Sequence, residues 1–435
     1  MLSRLSLFPL TAEVNKKGRL MIGGCDTVEL ADKYGTPLYL FDELSLRSKC
    51  QELKSEFSQR YAETMVIYAS KALLNRALAA IFKEEGLGLD VVSAGELAIA
   101  QSVGFPMDMV YFHGNNKSAE ELRLALKSHI GRIVVDNFDE LEMLGKMAEE
   151  AGHIPDILLR LTPGVDPHTH EHITTGIVGS KFGFPLFSAD GAVAQAMSAP
   201  SLNLIGLHFH LGSLISEVQP YQEAIETVLD FAAGMRKKHG FELEEFSIGG
   251  GFAVQYTLDS PAPDISLYAE AIVSKIVTKC QHLGLPLPML TVEPGRAVVA
   301  QAGVALYRAG GVKEIPGFRC YVLVDGGMAD NIRPALYGAR YEALVANKVL
   351  AEEAGPVTIA GRFCESGDIL VKDINLPSVS AGDIIAIPDC GAYCLPLASN
   401  YNASLKPAII MVKEGRARII RRRETFQDLT RYDLL

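Results

Sequence analysis

A lysine that closes an apolar run is equipped for chemistry. Lys71 ends Val66-Ile-Tyr-Ala-Ser-Lys71, and a helix-like stretch over 72–85 begins at once. At the end of a buried strand an amine faces a low dielectric, which favours its neutral, nucleophilic form. Three more motifs lie far downstream: Gly249-Gly-Gly251, Glu293-Pro-Gly-Arg296 and Cys364-Glu-Ser-Gly-Asp368. A lysine to form a Schiff base, a backbone cradle for a phosphate and a carboxylate for a pyridinium nitrogen are what pyridoxal phosphate asks of a protein.

Each motif also has a plainer reading. Gly249, Gly250 and Gly251 let backbone N–H groups come close to an anion, and a helix starting after them would add its dipole; otherwise they form a flexible turn. Ser213 and the backbone of Gly295 and Arg296 are placed to complete such a cradle. Glu293 follows the apolar Leu290-Thr-Val292, where a carboxylate needs a partner, either a ring nitrogen or Arg296. His208-Phe-His210 has the spacing of a metal-binding pair in barrel hydrolases, while His210 alone suits stacking on a flat cofactor. With lysine rather than histidines on the first strand, the cofactor reading is preferred and no metal is expected. His168-Thr-His-Glu-His172 reads as a polar loop. Arg333 and Tyr337 are four apart, so on a helical turn they share a face and could grip a carboxylate. Cys364 and Glu365 sit between Gly361 and Gly367, a loop made for close approach.

Positioning these groups requires a scaffold. Eight continuous apolar runs recur with helical stretches between them, at 65–71, 89–93, 109–114, 132–137, 156–162, 204–213, 246–252 and 290–296. Uninterrupted apolar strands alternating with helices mark a parallel sheet covered by helices. Eight units in this length predict an α/β fold, a (β/α)8 TIM-type barrel, with an open doubly wound sheet as the alternative. Lys71, Asp90, His210, Ser213, Gly249 and Glu293 all fall at predicted strand ends, the face that carries active sites in such barrels. After Arg296, short β-type segments at 303–308, 319–324, 357–362, 383–388, 407–412 and 416–421 predict an all-β C-terminal domain with a helical tail. The N-terminal strands 19–22 and 37–41 are expected to join it. The division is 1–40, 41–296 for the barrel and 297–435 for the β domain.

The chain has 435 residues, 48% hydrophobic and 21% charged, with a net charge of −11. That length suits two domains. The acidic balance argues against nucleic acid as a partner. No run of eighteen apolar residues marks a membrane span, and the first residues make a poor signal peptide. Seven cysteines without regular spacing read as reduced thiols in a cytoplasm.

Taken together these residues resemble the group IV, fold type III pyridoxal phosphate decarboxylases. The likeness runs from Tyr-Ala-Ser-Lys71 to Gly391-Ala-Tyr393 and Tyr401-Asn402, and is most specific at 325–337 and 364–368. It implies decarboxylation of meso-2,6-diaminoheptanedioate, a free diamino diacid, to L-lysine and carbon dioxide. By resemblance Lys71 carries the cofactor, His210 stacks on its ring and Glu293 pairs with its nitrogen. Asp90, Ser213, Gly249, Gly250, Gly251, Gly295, Arg296 and Tyr393 surround it. Arg296, Arg333 and Tyr337 meet the substrate's distal carboxylate, Glu365 its ammonium, and Tyr393 lies by the phosphate and the nearby substrate. Cys364 enters from the second subunit of a homodimer as the proton donor. Leu214 departs from the glutamine usual in this family, and Lys406 from arginine. Within the family, carboxynorspermidine or a carrier-tethered amino acid are the alternative substrates. A racemase, a non-catalytic cofactor-binding protein and a metal hydrolase are the rivals outside it.

Overall fold

The buried apolar runs form eight strands: Thr64–Ala69, Gly88–Val91, Val110–Phe112, Arg132–Val135, Asp156–Thr162, Asn203–Phe209, Glu245–Ser247 and Met289–Val292. Each pairs in parallel with the next, and the last closes on the first through Leu290 opposite Thr64. The barrel is closed, so the open-sheet alternative falls. The computed structural model describes residues 2–166, 175–176 and 179–435. These form two compact units: the barrel, Cys50–Ala253 with Pro263–Ala297, and a β-rich unit of residues up to 49, Val254–Ala262 and Val298–Leu435. The loop carrying His168, His170 and His172 lies outside the described residues.

Strand side chains alternate, so residues two apart share a face. Ile67, Tyr111, Val134, Leu158 and Ile205 pack together as one apolar cluster. Two positions beyond Tyr111, Val134 and Leu158 stand His113, Asp136 and Arg160, all buried. His208 and Ser247 on two further strands, and Glu293 just after the eighth, are also buried and extend this set. The barrel thus turns polar toward its C-terminal end while excluding water, which is stable only where the groups pair.

Two local expectations need correction. The helix after Lys71 starts at Arg76 rather than 72, because Asn75 caps it by accepting from the N–H groups of Ala77 and Leu78. It buries Leu78, Ala79, Ile81 and Phe82, and the Phe82 ring stacks on Tyr68 at 3.9 Å. No helix follows Gly251 directly; the next begins at Ile265, so the glycines gain no helix dipole.

In the β-rich unit a long strand, Gly303–Ile315, pairs with Arg319–Val324, Ile384–Ile387 and the N-terminal strand Leu38–Asp42. Leu38–Asp42 also runs parallel to Ala408–Lys413, so it joins the C-terminal sheet as expected. Leu20–Ile22 does not. It forms a small antiparallel sheet with Glu13–Val14 and Cys25–Asp26, although Leu20 and Ile22 share a core with Leu38, Leu306 and Ile410. Ile369–Leu376, unmarked in the sequence reading, is a strand paired with Gly355–Ala360. Lys372 and Asp373 interrupt its apolar pattern, and Asp373 takes a positive φ of 50° beside shifts in register. The tail helix is Phe426–Thr430.

Candidate active site

Lys71 lies in the 3-10 turn Ser70–Ala72, just beyond the first barrel strand. Its side chain is 42% exposed and its Nζ is 3.5 Å from Oδ2 of Asp90, which is buried at the end of the neighbouring strand. The other Asp90 oxygen has no hydrogen-bond partner. Glu96, on the helix that follows, accepts from the Val92 N–H at 2.7 Å. Burial pushes its carboxyl pKa up to about 7, with Asp90 adding to the rise.

Three neighbouring side chains surround the Glu293 carboxylate. Ser247 Oγ donates to it at 2.8 Å, His208 Nε2 lies at 3.1 Å and His113 Nε2 at 3.3 Å. Burial opposes its charge, but the two imidazoles outweigh burial and hold the carboxyl well below the usual range. Burial lowers His208 to about 4, so its ring is neutral and donates to Glu293 from Nε2. Its Nδ1 is left without a partner. The alternative pairing of Glu293 with Arg296 is not what forms: Arg296 donates from Nε and Nη2 to Ser213 Oγ at 3.2 and 3.0 Å.

The two histidines of His208-Phe-His210 part company. His210 accepts the Gly250 N–H at Nδ1, 3.2 Å away, and burial with the nearby Lys71 charge keeps it neutral. Gly249 and Gly251 take φ of 67° and 102°. A Cβ on Gly250 would lie 2.0 Å from the Glu293 carbonyl oxygen, and one on Gly251 2.4 Å from that of Gly212. Only glycine fits this rim. Gly295 follows Pro294 at the end of the eighth strand, beside Ala69 and Ala72. Leu214, the departure from the family pattern, has a φ of 60° after Gly212 and Ser213.

The remaining expected residues belong to the β-rich unit. Arg333 and Tyr337 share the short helix Arg333–Tyr337. Arg333 is 2% exposed, its guanidinium lies 4.6 Å from the Tyr256 ring centroid and it donates to the Tyr341 hydroxyl. Tyr337 is partly exposed. Cys364 and Glu365 are exposed on the loop between Gly355–Ala360 and Ile369–Leu376. Asp368 fastens that loop, accepting from the N–H groups of Phe363 at 2.8 Å and Met328 at 2.6 Å. The Cys364 N–H is held by Asn402, and Tyr401 donates to its carbonyl. Tyr393 stands in a loop with a φ of 60°.

Sequence reasoning passed over His113, Asp136, Arg160 and Glu96. His113 carried a usable signal, standing directly after Val-Tyr-Phe112 on the third strand. Arg160 sits inside an apolar strand, 3.9 Å from Asp136 and over the Phe182 ring.

The donor set suits pyridoxal phosphate. An amine stands at the rim, a carboxylate is buried at the end of the eighth strand, and glycine backbone that no side chain could replace lies against His210 and the Glu293 carbonyl. Unpartnered polar atoms on Asp90 and His208 point to an interior built for more than self-packing. A barrel with this constellation defines a pyridoxal-dependent decarboxylase. The family described as "Pyridoxal-dependent decarboxylase, pyridoxal binding domain" matches residues 44–300, and the chain belongs to it.

Its relatives are more specific. The chain is 44% identical to the diaminopimelate decarboxylase of Bacillus subtilis over 98% of this chain and 97% of that one. It is 43% identical to that of Synechocystis over 99% and 93%. The crystal structure of diaminopimelate decarboxylase from M. jannaschii matches with a TM-score of 0.92 at 35% identity, covering 98% of both chains. The Helicobacter pylori enzyme, solved with L-lysine, matches at 0.86 and 32% identity over 93% and 98%.

Proposed function

We propose that this protein converts meso-2,6-diaminoheptanedioate to L-lysine and carbon dioxide, using pyridoxal phosphate carried on Lys71. The observation that carries the reading is the ionised Glu293, buried among His113, His208 and Ser247 in a barrel whose rim presents Lys71. When bound, the cofactor supplies the electron sink that takes up the pair released as carbon dioxide leaves.

The protein supplies the rest. Lys71 provides the anchoring amine, and Asp90 beside it offers a carboxylate to pair with its charged form. Glu293, kept ionised, favours a proton on a ring nitrogen facing it. His210, neutral and fixed by the Gly250 N–H, offers a flat face without adding charge. Gly249, Gly250, Gly251, Ser213, Gly295, Arg296 and Tyr393 serve the phosphate.

Substrate choice rests on charge. The diacid is nearly symmetric, so one end must be named by its distal groups: Arg296, Arg333 and Tyr337 for the carboxylate, Glu365 for the ammonium, with Tyr393 beside the substrate near the phosphate. Cys364 donates the proton that replaces carbon dioxide, acting in the site of the other subunit of a homodimer. None of the described helices is long and apolar enough to cross a membrane, and we place the protein in the cytoplasm. Arg333→Ala should raise KM for the diacid and lower kcat/KM by roughly 30-fold or more, since removing one partner of a desolvated charge costs about 2–5 kcal/mol. An unchanged kcat/KM would remove Arg333 from substrate recognition.

A further inference from the structure

We propose that His113 and His208 are positioning residues for the cofactor's ring nitrogen: together they keep Glu293 ionised and aimed, and so decide whether that nitrogen carries a proton. The inference rests on the pyridoxal phosphate reading above.

Glu293 is 5% exposed, and a carboxyl group buried alone would take up a proton. A protonated Glu293 would offer the nitrogen a hydrogen instead of accepting one, and the electron sink would weaken. Three strands contribute to preventing this. His113 follows the third, His208 lies on the sixth and Glu293 follows the eighth. The imidazoles divide the carboxylate between them: His113 Nε2 faces Oε1 at 3.3 Å and His208 Nε2 faces Oε2 at 3.1 Å. Ser247 adds a third contact, to Oε1.

The imidazoles also hold each other. Their rings meet edge-to-face at 4.9 Å, and both residues are almost fully buried, so neither can turn away without leaving a void. His208 Nδ1 has no partner, so its one ring proton goes to Nε2 and to Glu293. His208 and Ser247 hydrogen-bond the carboxylate, one at each oxygen, while His113 Nε2 approaches Oε1 as a close ion-pairing neighbour without a hydrogen bond. Asp90 and Arg160 bear on the same interior, the former 4.0 Å from His113 Nε2. Neither makes a hydrogen bond to Glu293 among the described residues.

The test is ring-nitrogen NMR with 15N-labelled pyridoxal phosphate bound to the full-length protein at neutral pH. The wild type should show the signal of a protonated ring nitrogen. His208→Leu and His113→Phe should keep the lysine-linked cofactor absorbance while the nitrogen signal moves toward neutral pyridine. In parallel, kcat should fall roughly ten- to a hundredfold with KM little changed, the size expected for one hydrogen bond to a buried charge. His208→Gln keeps an N–H donor and should restore most of both. A nitrogen that stays protonated in both apolar variants overturns the inference, as does a glutamine variant no better than leucine. Thermal melts confirm that each variant is folded, and His113→Phe, which preserves the ring packing, decides the matter if His208→Leu does not fold. A wild type with no lysine-linked absorbance would instead remove the cofactor reading.

Discussion

Chemistry in this protein begins with polar side chains gathered at the ends of apolar strands, Glu293 buried and Lys71 partly exposed at the rim. Lys71, Glu293, His210 and the glycine run were legible because each is an unusual residue at the end of an apolar strand. Asp136 and Arg160 were not: their meaning depends on which residues face the barrel interior, and that follows from closure and register; His113 was marked only by its place directly after Val-Tyr-Phe112. Spacing put Arg333 and Tyr337 on one helix, as the structure has them, but it could not tell that the rings of Tyr256 and Tyr341 bury the guanidinium. Lys71→Ala should abolish the lysine-linked cofactor absorbance; persistence of the band would assign the anchor elsewhere. The polar interior also makes stability depend on pH. His208 is lowered to about 4 from an ordinary 6.5, so the unfolded chain binds a proton before the folded one does. Folding stability should therefore fall as pH drops from about 6.5 toward about 4, by on the order of 3 kcal/mol. Glu293, held below its usual range, adds stability that is lost only at still lower pH. Urea unfolding at several pH values should show this slope in wild type and its reduction in His208→Gln; equal slopes would mean that other groups set it.

Strands and helices carry those side chains to one rim. Eight apolar runs were enough to identify the barrel, because buried parallel strands have no polar face to obscure the pattern. Their ends were read too long, since the apolar chain continues past the last ladder bond into the rim turns. Gly249 and Lys71 consequently lie in turns just beyond their strands. The helix after Lys71 shows the same effect: its start is decided by the Asn75 cap, four residues after the lysine. Asn75→Ala should cost about 1 kcal/mol and lower the melting temperature by a few degrees, with cofactor absorbance retained. A loss of cofactor with unchanged stability would show that Asn75 serves the site directly. In the β-rich unit, Ile369–Leu376 escaped notice because exposed Lys372 and Asp373 break its alternation, whereas Leu38–Asp42 was recognised by its uninterrupted apolar run.

The molecule as a whole joins a closed barrel to a β-rich unit within one chain, and its relatives share that layout over nearly their full length. The proposed sharing of active sites between subunits is tested at this scale. Lys71→Ala and Cys364→Ala proteins should each be nearly inactive, and mixing them with subunit exchange should restore part of the activity. No recovery after proven exchange would place Cys364 in the site of its own chain. The central claim is tested most directly by incubating the purified protein with pyridoxal phosphate and meso-2,6-diaminoheptanedioate, following carbon dioxide and lysine by mass spectrometry. Lysine should form at catalytic rates, with one carbon dioxide for each. A protein that shows the lysine-linked cofactor band yet forms no lysine from this diacid would contradict it.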